Sequence, residues 1–131
     1  MKFDSGLKIL YVDDSVIIRD MVESYLLQIG YMNIQGAEDG VEALALSGED
    51  EYDFIITDIN MPNMDGIELI KHLRNKLDYI STPIMVLSTE WSNEMKQKGK
   101  DVGATSWIVK PFDKELLHRA ILETIAKVEN N

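Results

Sequence analysis

Five short apolar runs alternate with segments of helical periodicity along the chain, and this alternation constrains the fold more than any other feature of the sequence. The runs are rich in branched residues and nearly continuous, as at 54–56 (FII), which is typical of parallel strands covered on both faces. They lie at 7–13, 33–37, 52–58, 83–89 and 106–110, and the second is the weakest. The pattern predicts an α/β fold in which a parallel sheet carries helices on both faces.

A helical segment follows each apolar run. The predicted helices cover 15–29 and 41–46, begin after Asp65, cover 91–102, and begin after Asp113. We expect the fourth to be the least stable, because only Trp91, Met95 and Val102 are strongly apolar in it. Gly99 also lies inside this helix, at a cost of about 1 kcal/mol relative to alanine.

Length and composition narrow the classes of function. The 131 residues fit one domain over 1–131 with no output domain. The net charge of −10 argues against nucleic acid or an anionic membrane as the main partner and suits basic surfaces or cations. The absence of cysteine excludes disulfides and thiolate chemistry. No apolar stretch is long enough for a signal peptide or a membrane span, so we expect a cytoplasmic protein.

Polar residues stand where four of the apolar runs end. Asp13 and Asp14 end the first run, and Asp58 ends the third. Ser88 ends the fourth run and Lys110 the fifth. Binding sites of open α/β sheets form beyond the carboxyl ends of the strands. We therefore expect three acids, a hydroxyl and a lysine to converge on one rim of the sheet.

Each of these residues also has an ordinary structural explanation. Asp13 and Asp14 can cap the following helix and interact with its dipole, and Asp58 can cap a loop. Ser88 can close a turn, and Lys110 can be a solvated surface charge. Taken singly, each explanation is the better one, but their joint occurrence at four strand ends favours a single site.

Three crowded carboxylates repel one another and need a cation. Oxygen ligands without histidine or cysteine indicate a hard ion, and Mg²⁺ fits best. Lys110 adds a point charge for further negative groups, and Ser88 can donate a hydrogen bond to an incoming oxygen. A metal, an ammonium group and a hydroxyl donor together favour phosphoryl chemistry, with one of the acids as nucleophile.

Four stretches of the sequence resemble a known family. "YVDDS", "TDINMPNMDG", "VLST" and "GATSWIVKPF" are similar to the receiver domains of bacterial two-component response regulators, and the resemblance covers the whole chain. The likeness is greatest to the stand-alone receivers of chemotaxis. It implies a flavodoxin-like (βα)5 fold, a doubly wound parallel five-stranded sheet with strand order 2-1-3-4-5.

The resemblance also implies roles for the acidic residues. Asp58 corresponds to the phosphoacceptor. Asp14 and Asp58 correspond to direct ligands of Mg²⁺, and Asp13 to a residue that binds the ion through water. Asn60 corresponds to the residue whose backbone carbonyl completes the protein ligands.

The same resemblance implies roles for the residues that respond to phosphorylation. Ser88 matches the hydroxyl that moves to the phosphoryl group, and Lys110 the lysine that pairs with it, followed by a cis peptide to Pro111. Trp107 matches an aromatic that turns inward on activation, although it could instead be a permanently buried core residue. Thr89 is bulkier than the usual residue there and puts the phosphate lifetime in doubt.

The function implied is that of a phosphoacceptor rather than an enzyme with a separate substrate. It would take a phosphoryl group from a histidine kinase, catalyse its own phosphorylation and dephosphorylation, and signal through its fourth helix, fifth strand and fifth helix. The flagellar motor switch is the implied target. Trp91 and Met95 are candidates for that contact, although both could simply pack the fourth helix onto the sheet.

Three other functions stay open at this point. The domain could be a phosphorelay shuttle that passes phosphate to a histidine phosphotransfer protein. A haloacid-dehalogenase-type phosphatase also uses an aspartate and Mg²⁺, but its first strand carries "DxD", whereas Asp13 and Asp14 are adjacent. A flavodoxin would need a phosphate-binding loop where "VDDSV" places negative charge.

Overall fold

The computed structural model describes residues 4–130 and contains all the predicted strands and helices. The strands are β1 (Lys8–Val12), β2 (Asn33–Ala37), β3 (Phe54–Thr57), β4 (Ile84–Ser88) and β5 (Ser106–Val109). The helices are α1 (Val16–Ile29), α2 (Gly40–Glu49), α3 (Gly66–Arg74), α4 (Asn93–Val102) and α5 (Lys114–Glu129), with a 3-10 turn at Leu77–Tyr79. The ends of the predicted domain, residues 1–3 and 131, lie outside the described residues.

The five strands form one parallel sheet in the order β2-β1-β3-β4-β5. This confirms the flavodoxin-like architecture and the strand order that the resemblance implied. The connection from β2 to β3 passes to the other side of β1, so β1 and β3 flank the topological switch point, beyond whose carboxyl end ligands of such sheets bind. Asp13 and Asp58 are the residues that follow these two strands.

Successive residues of the central strands face opposite sides of the sheet. Leu10 and Val12 belong to a core shared with α2, α3 and α4, whereas Ile9 and Tyr11 belong to a core shared with α1 and α5. Both sides of each central strand are therefore buried, which accounts for apolar runs without polar alternation.

The second helix is longer than predicted. It covers Gly40–Glu49 rather than 41–46. The buried side chain of Asp39 fixes its start by accepting the N–H of Glu42 at 2.9 Å, and three further residues extend its end. The apolar pattern alone marks only the middle of this helix.

The fourth helix begins two residues later than predicted. Ser92 caps it by accepting the N–H of Met95 at 3.2 Å, so Trp91 lies in the loop before the helix and is 74% exposed. The suggestion that Trp91 packs α4 onto the sheet is therefore wrong, whereas Met95 is half-buried against the core. Within residues 4–130, no helix combines the length and apolar character needed to cross a membrane.

Candidate functional site

The strand register places two of the predicted acids side by side. Val12 at the end of β1 lies opposite Thr57 at the end of β3, and the next residues are Asp13 and Asp58. Asp13 is 6% exposed and Asp58 8% exposed. Two carboxylates thus lie in a largely buried position at the carboxyl end of the sheet, as the sequence predicted.

The third acid joins them. Asp13, Asp14 and Asp58 each offer a carboxylate oxygen, and these three oxygens lie within 4.8 Å of one another. Asp14 is exposed, so the cluster opens to solvent on its side. The predicted convergence of three acids is confirmed by this geometry.

Lys110 lies between the two buried acids. Its Nζ donates to Asp13 Oδ2 at 2.7 Å and to Asp58 Oδ2 at 3.0 Å, and its side chain is 11% exposed. The Lys110 N–H donates to Ser88 O, and the peptide to Pro111 is cis, as the resemblance implied. Lys110 is therefore a residue of the site and not a solvated surface charge.

Burial and charge act in opposite directions on this group of side chains. Burial acts to lower the pKa of Lys110, but its hydrogen bonds to Asp13 and Asp58 outweigh this, so the pKa is raised and the ammonium stays charged. Burial raises the pKa of Asp13, and the charge of Asp58 adds to this, although Lys110 acts against it. Burial therefore disfavours the charged form of Asp13, and the hydrogen bond from Lys110 offsets part of this cost.

The loops around the acids are joined by hydrogen bonds through Glu90. Ser88 is fully buried, and its Oγ accepts the N–H of Glu90 at 3.2 Å, which is the turn-closing bond considered above. The Asn60 Nδ2 donates to Glu90 Oε1 at 3.0 Å. Thr89, which lies between Ser88 and Glu90 in the sequence, is exposed. The loops after β3 and β4 are therefore linked beside the acids.

Trp107, on β5, is half-buried against the core beneath α4. Its indole Nε1 donates to the backbone oxygen of Glu90 at 2.9 Å. The predicted switch aromatic thus contacts the same loop that Ser88 holds.

The loop after β3 folds back tightly on the phosphoacceptor candidate. The N–H of Ile59 donates to Asp58 Oδ1 at 2.6 Å and so orients the carboxylate. The N–H of Gly66 donates to Ile59 O at 2.8 Å, and a Cβ at Gly66 would overlap the backbone oxygen of Asp58. Asn63 has a φ of 68° and donates to Asp39 Oδ2 at 2.7 Å. The sequence "NMPNMDG" is therefore explained by a turn that leaves no room for a side chain at its end.

One positioning residue was missed from the sequence. The Arg19 Nη1 donates to the backbone oxygen of Asp13 at 2.6 Å and holds the end of β1. An arginine one turn into a helix carries no sequence signal for this role, because only the folded strand end supplies its partner.

The charges at this site fit a divalent cation. Three carboxylates and one ammonium leave two negative charges uncompensated. The ligand atoms that the three acids offer are carboxylate oxygens, the type of ligand that Mg²⁺ prefers. Asp13, Asp14 and Asp58 would hold such an ion, while the role of the Asn60 carbonyl stays a prediction.

Comparison with known proteins gives the family. The family model described as the response regulator receiver domain matches residues 9–122. The chemotaxis protein CheY-3 of Vibrio cholerae is 36% identical over 109 residues, with 83% of this chain and 84% of that protein covered. CheY of Pseudomonas aeruginosa is 30% identical over 122 residues, which cover 93% of this chain and 98% of that protein.

A solved structure agrees with these relatives. The chemotaxis response regulator CheY4 of Vibrio cholerae superimposes with a TM-score of 0.86 at 47% identity, covering 91% of this chain and 98% of that one. The residues that the family model matches include Asp13, Asp14, Asp58, Ser88 and Lys110. On this evidence, the chain belongs to the response regulator receiver domain family.

Proposed function

We propose that this chain is a cytoplasmic chemotaxis response regulator that accepts a phosphoryl group on Asp58 from a histidine kinase, with Mg²⁺ in the site. The observation that carries the proposal is the gathering of three carboxylates within 4.8 Å, with Lys110 bonded to two of them. The names of the curated relatives support the chemotaxis pathway.

The proposed reaction transfers a phosphoryl group between two protein side chains. A carboxylate oxygen of Asp58 attacks the phosphorus of a phosphohistidine, the P–N bond breaks, and the departing imidazole nitrogen takes up a proton. Lys110 is already charged and beside Asp58, so it stabilises the negative charge that arrives. Mg²⁺, when bound, neutralises negative charge on the transferred oxygens.

The product is an acyl phosphate, which water later hydrolyses to restore Asp58. The protein would thus catalyse its own phosphorylation and dephosphorylation and turn over no separate substrate. Asn60 and Glu90 are joined by a hydrogen bond next to the acids, so they are placed to influence the approach of water.

The phosphoryl group would act on the loop after β4. It adds up to about two negative charges, and the Ser88 hydroxyl and Lys110 are the donors drawn toward it. Movement of Ser88 weakens its bond to the Glu90 N–H, and Glu90 in turn holds Trp107. The surface formed by α4, β5 and α5 changes as a result, and we propose a flagellar motor switch protein as its partner.

Phosphorylation of purified variants by a small acyl phosphate with Mg²⁺ tests the reaction. We expect the wild type to gain one base-labile phosphate, measured by intact mass, and Asp58→Asn to gain none. The matched control is Asp65→Asn, which changes an exposed aspartate of the same loop and keeps a good N-cap for α3. If Asp58→Asn is labelled as fully as the wild type, Asp58 is not the acceptor.

Binding to a motor switch protein tests the partner. We expect the phosphorylated chain to bind it more tightly than the unmodified chain, and Trp91→Ser to weaken the bound state because Trp91 is exposed beside α4. Binding that is equal with and without phosphate contradicts the proposed output. Faster loss of phosphate to a histidine phosphotransfer protein than to water would replace it with the relay function.

A further inference from the structure

The Trp107 side chain contacts both the loop before α4 and the second half of that helix. Its Nε1 donates to Glu90 O at 2.9 Å, just before the Ser92 cap of the helix. The opposite edge of its ring, at Cε3 and Cζ3, faces Gly99 in the second half of the helix. One rigid indole group therefore links the loop that enters α4 to the part of the helix near its end.

Gly99 is the residue that makes room for the indole. A Cβ at Gly99 would lie 2.7 Å from Trp107 Cζ3 and 3.0 Å from Cε3, closer than side chains pack. Gly99 is also the one buried residue of α4. Glycine is a poor helix former, so its presence inside a short and weakly apolar helix calls for a local reason, and the indole supplies it.

The backbone near Gly99 is held in place, so the helix cannot easily retreat from the ring. The oxygen of Gly99 accepts the N–H groups of Gly103 and Ala104, the latter at 2.9 Å. Arg74 in turn donates to Gly103 O through Nε at 3.0 Å and Nη2 at 2.8 Å. A methyl group at position 99 would therefore displace Trp107 rather than the helix end.

We infer that Gly99 is a positioning residue whose missing side chain forms a notch for Trp107 and couples the position of α4 to that of the indole. When the ring leaves the notch, it also loses its hydrogen bond to Glu90, so both attachments of α4 change together. The signalling use of this coupling rests on the proposed function, whereas the coupling itself is a property of the fold.

A double-mutant cycle on thermal stability tests the notch. Gly99→Ala should lower the Tm by roughly 3–10 °C through overpacking. In a Trp107→Ala background the same change should leave the Tm unchanged or raise it. The matched control is Gly48→Ala in α2, where the nearest atom to the new Cβ is Lys76 Nζ at 3.9 Å. It should raise the Tm by roughly 3–5 °C in both backgrounds.

An increase of the Tm by Gly99→Ala that matches Gly48→Ala in both backgrounds overturns the inference. If Gly99→Ala does not fold with Trp107 present but folds with Trp107→Ala, the inference is supported, because the defect then depends on the indole.

Fluorescence separates positioning from a general loss of stability. In a Trp91→Phe background Trp107 is the one remaining tryptophan, since the chain has two. We expect Gly99→Ala to increase acrylamide quenching of Trp107 below the unfolding transition, and Gly48→Ala to leave it unchanged. Equal quenching of Trp107 in all three proteins contradicts the notch.

The same proteins show whether the proposed function also holds. With the small acyl phosphate and Mg²⁺, Gly99→Ala should still be labelled on Asp58. Its Trp107 emission should change less on labelling than that of the Trp91→Phe parent, which keeps Gly99. If the Trp91→Phe parent is not labelled, the proposed function is rejected. The inference about Gly99 is then tested by the double-mutant cycle on Tm alone. Full labelling with an undiminished emission change in Gly99→Ala rejects the signalling role of Gly99.

Discussion

The amino and carboxyl ends of the sheet both bury polar groups, but they satisfy them in different ways. At the amino end the Tyr79 hydroxyl accepts the N–H of Tyr52 at 3.1 Å and donates to the backbone oxygen of Ser47 or Asp50, at 2.9 and 3.0 Å. At the carboxyl end three carboxylates lie close together, and the ammonium group of Lys110 contacts two of them, Asp13 and Asp58.

This difference separates stability from function within one small domain. Buried polar groups that are fully paired stabilise a fold, whereas carboxylates crowded around too little positive charge destabilise it until a cation arrives. The amino end should therefore respond to mutation with a loss of stability and unchanged chemistry. Mutation at the carboxyl end should instead change the phosphorylation chemistry, with little loss or even a gain of stability.

The largest expected effect is at the amino end, at Arg74. Its guanidinium donates to the backbone oxygens of Gly103, Tyr79 and Ile80. Arg74→Met keeps much of the stem but leaves these oxygens without their donor, and we expect a loss of about 3 kcal/mol in the free energy of unfolding. Urea unfolding measures this loss.

Labelling of the same variant completes the comparison. Below its unfolding transition, Arg74→Met should still be phosphorylated on Asp58 by a small acyl phosphate, because Arg74 contacts the opposite end of the sheet from that residue. Wild-type stability of Arg74→Met would show that the amino end is not the stabilising region.

The sequence predicts more of the carboxyl end than of the amino end. Strand ends are visible as the points where apolar runs stop, and parallel pairing then brings Asp13, Asp58 and Lys110 together without further information. The bond of Arg74 to Gly103 joins residues 29 positions apart, which no local pattern encodes. For this reason the site was predictable and the network that supports it was not.

The same limit explains the errors around α4. The apolar periodicity places Trp91 in the helix, but the Ser92 cap starts the helix after that residue. The sequence does not explain why position 99 is a glycine, because the explanation depends on the ring of Trp107, which contacts the helix from β5. Periodicity finds elements, whereas caps and contacts between elements need the folded chain.

A smaller effect is expected at Asp39, a carboxylate at the carboxyl end that is fully paired. Hydrogen bonds from the Glu42 N–H, and then from Asn63, lower the pKa of Asp39 below 3.8. The charged carboxylate of Asp39 therefore stabilises the fold at pH values above 3.8, the usual pKa of an aspartate. This contribution is lost as the pH falls through the lowered pKa of Asp39. We expect Asp39→Ala to lose about 1–2 kcal/mol at neutral pH.

The pH dependence of that loss is the check. In urea unfolding of wild type and Asp39→Ala from neutral pH down to about 3, the difference between them should shrink at the acidic end. A difference that grows on acidification would mean that the charged form of Asp39 does not stabilise α2.

The smallest expected effect is a gain, at Asp14. This acid is exposed, and the structure gives it no cation as partner among residues 4–130, whereas Asp13 and Asp58 both contact Lys110. Asp14→Asn removes repulsion from the cluster, so in metal-free buffer we expect the free energy of unfolding to rise by up to about 1 kcal/mol. A clear loss of stability would show that the carboxyl end is not short of positive charge.

Titration with Mg²⁺, followed by thermal unfolding, tests most directly the claim that the carboxyl end is completed by a divalent cation. The wild type should be stabilised progressively, by about 2.7 kcal/mol when the ion reaches 100 times its Kd. Asp14→Asn should lose most of this gain, and Arg74→Met should keep it. A wild-type Tm that does not respond to Mg²⁺, or an equal response in Asp14→Asn, would contradict the account.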